Sequence, residues 1–216
     1  MRWRKLGKIF DPTQHALPNG CVEFAQSPQT LMLDDRVRIY FSTRVRDPLG
    51  KYLSHIAFVD FELDLSQILG VSKDTVIPLG DLGCFDEHGI FPINVLRDGD
   101  RVLAYTTGWN RKVSVSVDAA IGLAISRDNG LTFQKHGNGP VLAASLHEPF
   151  LIGDGFVKKI GLKYRMWYIF GTHWKTFVPN EPPDRVYKIA CATSVTNVSS
   201  RTPAKHCEPP VPSKTI

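Results

Sequence analysis

Phe85-Asp86-Glu87-His88-Gly89-Ile90-Phe91-Pro92-Ile93-Asn94-Val95-Leu96-Arg97-Asp98-Gly99-Asp100-Arg101-Val102-Leu103-Ala104-Tyr105 decides how this chain folds. An acidic cluster opens the stretch and an apolar run follows. A turn then stands at Asp98-Gly99, and a second apolar run ends on an aromatic residue. Asp-Gly between two such runs is a strong hairpin signal, because both residues tolerate positive φ. Asp86, Glu87 and His88 therefore fall just before the first strand of a hairpin.

The pattern recurs on either side. Upstream, Ser27-Pro28-Gln29-Thr30-Leu31-Met32-Leu33 leads through Asp34-Asp35 to Arg36-Val37-Arg38-Ile39-Tyr40-Phe41. Downstream, Asp154-Gly155-Phe156-Val157-Lys158-Lys159-Ile160 leads through Gly161-Leu162-Lys163 to Tyr164-Arg165-Met166-Trp167-Tyr168. Tyr40, Tyr105 and Tyr168 are spaced by 65 and 63 residues. A third apolar run follows each: His55 to Val59, Ala120 to Ile125, and Tyr187 to Ala192. Repeated units of several antiparallel strands are the sequence mark of β-propeller blades. The units read as 21–69, 70–145 and 146–194, and a polar, Pro-rich tail over 195–216 reads as irregular or disordered.

Composition places this pattern in a soluble globular class. With 216 residues, 43% hydrophobic and 22% charged, the chain can bury a sizeable core. The net charge of +5 is spread out, without the basic stripe that nucleic-acid binding needs. No apolar run is long enough for a leader or a membrane span. Cys21, Cys84, Cys191 and Cys207 show no paired spacing, which argues against structural zinc and for reduced thiols in a cytoplasmic protein.

Within the first unit, Val37, Ile39 and Phe41 alternate with Arg36, Arg38 and Tyr40, the period of a half-buried strand. Ser66 to Leu69 reads as a helical turn. Ser126-Arg127-Asp128-Asn129-Gly130-Leu131-Thr132-Phe133 matches the Asp-box pattern, a hairpin turn in which Ser and Asp bond turn amides and Gly takes positive φ. Its role is structural.

Propeller blades bring the starts of their innermost strands around one channel. Glycoside hydrolysis needs two carboxyl groups about one bond, one as proton donor and one as base or nucleophile. Asp86 and Glu87 precede the second inner strand; Glu148 precedes the third, with Asp154 nearer to it. His88 and His147 are adjacent polar partners able to tune carboxyl groups. Trp109 and Trp174 offer faces for a sugar ring, and Arg44, Asn110 and Arg111 can bond hydroxyls or a carboxylate. Each also has a plain structural reading: a solvated turn, a loop acid, ordinary packing.

Several of these stretches resemble the five-bladed β-propeller glycosidase superfamily, which includes arabinanases, xylosidases, fructosidases and mannoside phosphorylases, and in particular its uncharacterised bacterial members. They are Ala25-Gln26 with Pro28, Arg38-Ile39-Tyr40-Phe41-Ser42, Phe85-Asp86 with His88-Gly89, Gly108-Trp109, Ala120 to Ser126, and Met166-Trp167-Tyr168. The resemblance spans residues 1 to about 194 and implies an all-β, five-bladed propeller, here incomplete with about three blades. It implies a base, a modulating acid and a general acid, one in each of the first three blades. By position the second is Asp86 or Glu87 and the third Glu148. The first blade has Gln26-Ser27 where the hydrolases carry an Asp, with Asp11 as a substitute from the N-terminal segment. The expectation is therefore a glycosidase-like protein, truncated and with activity left open. A phosphorylase becomes the reading if phosphate replaces the base, and a non-catalytic carbohydrate-binding propeller is the alternative. Its partner is a carbohydrate or glycoconjugate, without cofactor or metal, nucleic acid or membrane. Unpaired blade edges invite self-association.

Overall fold

The computed structural model describes residues 5–196. Most of the expected tail, residues 197–216, lies outside the described residues, as does Cys207. Eleven strands form three antiparallel meanders. The first is β1 (Glu23–Met32), β2 (Val37–Arg46), β3 (Tyr52–Phe61) and β4 (Ile68–Val71). The second is β5 (Gly89–Asp98), β6 (Arg101–Arg111), β7 (Val117–Ser126) and β8 (Gln134–Lys135). The third is β9 (Ile152–Ile160), β10 (Lys163–Lys175) and β11 (Asp184–Ser194). One parallel bridge, Ser54 to Gly89, joins the first meander to the second. Of the segment read as a helical turn, Ser66 and Gln67 form a bend, and Ile68 and Leu69 open β4, the outer strand of the first unit, which pairs Val71 with Val59.

The meanders pack face against face. Leu31, Tyr40, Ile56, Phe58, Ile90 and Phe133 fill the seam between units one and two. Leu103, Tyr105, Ile121, Ile152, Val157 and Tyr168 fill the seam between two and three. Leu17 and Cys21, with Ile9 and Phe10, cover the outer side of unit one against Phe41, Val59 and Phe61. The middle strands β2 and β6 are therefore covered on both faces, which corrects the half-buried reading of β2. Arg38 is only 3% exposed. Its guanidinium donates to both carboxylate oxygens of Asp60, at 2.8 and 2.7 Å, and lies over the Phe58 ring. The alternation in β2 separates two seams, not inside from outside.

The inner strands β1, β5 and β9 run side by side. Asn94 of β5 joins all three: its amide nitrogen donates to Gln29 of β1, and its oxygen accepts the main-chain N–H of Val157 in β9 at 2.9 Å. Tyr40 and Tyr105 each point into the seam ahead of their unit, but Tyr168 points back into the same seam as Tyr105. The 63-residue step to Tyr168 thus relates opposite faces, while the 65-residue step relates like ones. Ser42 and Thr107, also 65 apart, confirm it, since each bonds the main chain of the next unit's inner strand.

Turns hold these units as their residues dictate. The β5–β6 hairpin turns at Gly99-Asp100, with Gly99 at φ 65°, and Asp98 is the last strand residue. Asp98 is thereby free to accept from Lys159 Nζ at 2.8 Å and the Tyr164 hydroxyl at 2.9 Å, both in unit three. In the Asp-box turn, Ser126 Oγ donates to Asp128 and accepts from Gly130 N–H, while Asp128 accepts from Thr132. Gly130 has φ 81°, and an added Cβ would meet the Tyr40 hydroxyl oxygen. That hydroxyl donates to the Gly130 carbonyl at 2.7 Å, so the box stitches unit two to unit one.

Candidate functional site

The two carboxylates expected at the centre are both turned inward. Asp86 is 1% exposed, with Lys135 Nζ of β8 2.5 Å from its Oδ2. That contact is an ion pair without hydrogen-bond alignment, and Oδ1 has no donor. Gly80 and Gly108 leave room for this side chain; a Cβ at either would collide with Asp86. Glu148 is 9% exposed, and both its oxygens accept from the Tyr168 hydroxyl, at 2.9 and 3.1 Å. That carboxylate and burial push the Tyr168 phenol well above its usual range. Each carboxyl thus has a partner within the fold, an ion pair for Asp86 and a hydrogen bond for Glu148. Asp11 is committed as well: it caps the 3-10 turn Pro12–Gln14 and pairs with Lys8, which lower its carboxyl to about 2. His147 is exposed beside Glu148.

The ends of the strands near the inner-strand starts bring most of the other residues together. His88 and Trp109 stack at 6.1 Å with their rings 27° apart. Arg111 N–H donates to His88 Nδ1 at 3.5 Å, which leaves Nε2 toward Glu87 Oε1, 3.7 Å away. Glu87 Oε2 accepts from Gly83 N–H. The Arg111 guanidinium donates to Asp47 at 2.8 Å and to the Tyr52 carbonyl at 2.7 Å, tying the rim of unit two to that of unit one. Asn110 Nδ2 donates to the Cys84 carbonyl, so this amide holds the loop that carries Glu87 and His88. Trp109 lies directly over Gly89, where a Cβ would strike the indole. Arg44 faces the same seam, its guanidinium 5.0, 5.5 and 5.8 Å from the rings of Phe24, Tyr52 and Phe91.

Asp154 comes from the third unit. Each inner strand has an extra residue where two residues face one on the middle strand. Such β-bulges bend a strand and re-aim a side chain. The bulges fall at Phe24-Ala25 and Ser27-Pro28 in β1, Phe91-Pro92 in β5 and Asp154-Gly155 in β9, and Ser27 and Asp154 share the left-handed φ of 51°. Of the residues in these bulges, Asp154 alone is ionisable. Its N–H donates to Thr107 at 2.7 Å. Its side chain reaches solvent from a concave setting, where crowding by protein raises the carboxyl pKa and Arg185 partly offsets the rise. Trp174 pairs across the β10–β11 ladder with Arg185, at the same end of unit three.

Sequence reasoning missed one acid. Glu23, the first residue of β1, accepts from the Tyr52 hydroxyl at 2.8 Å, beside the Arg44 cluster. The signal was its place at the start of the first inner strand, three residues before Gln26. Among the described residues no cluster of three or more His, Cys, Asp or Glu could hold a metal ion. None of their helices is long and apolar enough to cross a membrane.

No family model matches the chain. Two uncharacterised proteins of Mycobacterium tuberculosis, from strains CDC 1551 / Oshkosh and H37Rv, are each 34% identical to it over 180 residues. The match covers 81% of this chain and 56% of each relative, so the chain spans little more than half the length of these curated relatives. Among solved structures, one described as belonging to the GH130 family of mannoside phosphorylases, which contains glycoside hydrolases that target β-1,2 mannosidic linkages in Candida mannan, superposes with TM-score 0.59. It is 16% identical over 95% of this chain and 60% of that one. A family 117 glycoside hydrolase produced by Zobellia galactanivorans gives TM-score 0.58 at 16% identity, over 84% of this chain and 48% of that one. A glycosyl hydrolase from Bacteroides ovatus gives 0.57 at 15% identity, over 77% and 52%. At such identities the shared property is the architecture: this chain is built as the propeller-type glycoside hydrolases are built.

Proposed function

We propose that the three meanders are blades of a five-bladed propeller and that the chain contributes a carbohydrate site acting on a glycosidic bond. The observation that carries this reading is the gathering of Arg44, His88, Trp109 and Arg111 at the inner-strand starts, with Asp154 on the adjoining inner strand. Trp109 supplies an apolar face for a sugar ring, and the polar groups around it supply hydroxyl contacts. Asp154, whose carboxyl pKa is raised by crowding, suits a proton donor; Glu87 and Glu23 are the accessible acids left for a base. Asp86 and Glu148 act in this scheme as positioning residues, fixing the loops before β5 and β9. The protein is placed in the cytoplasm, and its unpaired outer edges offer a route to self-association.

A second reading is binding without cleavage. One observation favours it: the bulges of the three inner strands hold a single acid between them. Calorimetry with a panel of oligosaccharides, run beside hydrolysis and phosphorolysis assays, separates the two. Turnover lost in Asp154→Asn with binding kept supports the enzyme. Binding without turnover in parent and variants alike supports the binding protein. Absence of any saccharide binding overturns both.

A further inference from the structure

Arg44 is a cation without an anion. Among the described residues no carboxylate lies within ion-pair distance of it, although Glu23 is its partner on the β1–β2 ladder. Glu23 instead accepts from Tyr52. The other arginines at this end of the seam differ: Arg111 is bound to Asp47, and Arg46 donates to the Gly50 carbonyl and the Tyr52 hydroxyl. The Arg44 Nε is buried and has no acceptor. One register pair away, the buried Oε1 of Gln26 has no donor. Three aromatic rings hold the guanidinium in place, their faces favouring the positive charge without neutralising it.

A buried guanidinium Nε left without an acceptor is costly unless something supplies one. Its planar fork matches a carboxylate or phosphate oxygen pair better than a lone hydroxyl. Resting on the carbohydrate reading above, we propose that Arg44 is an oxyanion subsite, and that the saccharide bound there is acidic, carrying a carboxylate or a phosphate. Trp109 takes the ring and Arg44 takes the charged substituent, with Gln26 Oε1 accepting a neighbouring hydroxyl.

The test is calorimetry on the full chain with paired probes: galacturonic acid against galactose, a hexose phosphate against its free hexose, and inorganic phosphate alone. An acidic sugar is expected to bind about tenfold or more tightly than its neutral parent. In Arg44→Met that ratio falls to within about twofold, and Arg44→Lys, a point charge without the fork, restores part of it. Competition by inorganic phosphate supports phosphate as the recognised group; tight uronate binding without such competition supports the sugar carboxylate. Equal binding of acidic and neutral sugars, or a ratio that survives Arg44→Met, overturns the inference and leaves the carbohydrate reading standing. No binding of any sugar overturns both. Should the variants fail to fold, raising salt from about 0.05 to 0.5 M must weaken only the acidic sugar in the parent protein, and an equal effect on both overturns the inference.

Discussion

The seams between units and the rim at the inner-strand starts use the same residue types in opposite ways. In the seams, charge is spent on the fold. Arg38 closes on Asp60, Glu148 on Tyr168, and Asp98 on Lys159 and Tyr164, while Asp86 is ion-paired with Lys135 but has no hydrogen-bond donor on either oxygen. At the rim, Arg44 has no carboxylate, and Gln26 and Asn110 each keep a buried oxygen unbonded. A polar group satisfied within the fold stabilises it; one left unsatisfied is held ready for something else. The contrast separates residues that hold this molecule together from those open to a ligand, and it does so without reference to sequence position.

The largest expected effect lies in the seam. Arg38→Ala leaves the buried Asp60 with only the longer Arg36 contact at 3.5 Å, which costs about 3 kcal/mol and shows as a large drop in the denaturation midpoint. Asp86→Ala should cost less, about 1–3 kcal/mol, because Lys135 keeps some access to water. A loss in sugar binding with no loss of stability in Asp86→Ala would break the comparison outright. Trp109→Ala at the rim is expected to lower saccharide affinity about tenfold, measured by calorimetry, with a smaller change in melting temperature than Arg38→Ala. Tyr40→Phe deletes one buried hydrogen bond to Gly130 and should cost about 1 kcal/mol.

The smallest effect is also the sharpest in sign. Asp98 in the seam has its carboxyl pKa lowered, first by Lys159. Its stabilisation is present above the unfolded carboxylate value of about 4 and is lost as pH falls through the folded one. Asp154 at the rim has its pKa raised by crowding. Its contribution is favourable below about pH 4 and is lost as pH rises through the folded value. Near neutral pH, Asp98→Asn should therefore destabilise and Asp154→Asn should stabilise. Paired urea titrations across pH 3 to about 7 read both signs, and like signs would erase the distinction between seam and rim.

Much of the fold was legible because hairpin chemistry is local. The Phe85–Tyr105 run, the third strand of each unit and the Asp box all depend on residues within a few positions of one another. The side of burial was not legible. A half-buried strand and a strand covered by two seams both alternate, and only neighbouring units decide between them, as Arg38 in β2 shows. The burial of Asp86 and Glu148 was not legible either: a carboxylate before an inner strand shows its exposure only when the neighbouring strands are in place. The bulges left a trace that reading by tyrosines passed over. Ser27-Pro28, Phe91-Pro92 and Asp154-Gly155 recur at steps of 64 and 63, and proline within a strand run points to a bulge. Arg44, His88, Trp109 and Arg111 are neighbours because each stands at a strand end near the inner-strand starts, whichever way the strand middles face.

A crystal soaked with an acidic oligosaccharide tests the central claim most directly. The account predicts a sugar ring on Trp109, its charged group on Arg44 and a hydroxyl within reach of Asp154. Density confined to the outer cleft of about 510 Å³ lined by Pro78, Thr132 and Lys135 would contradict it.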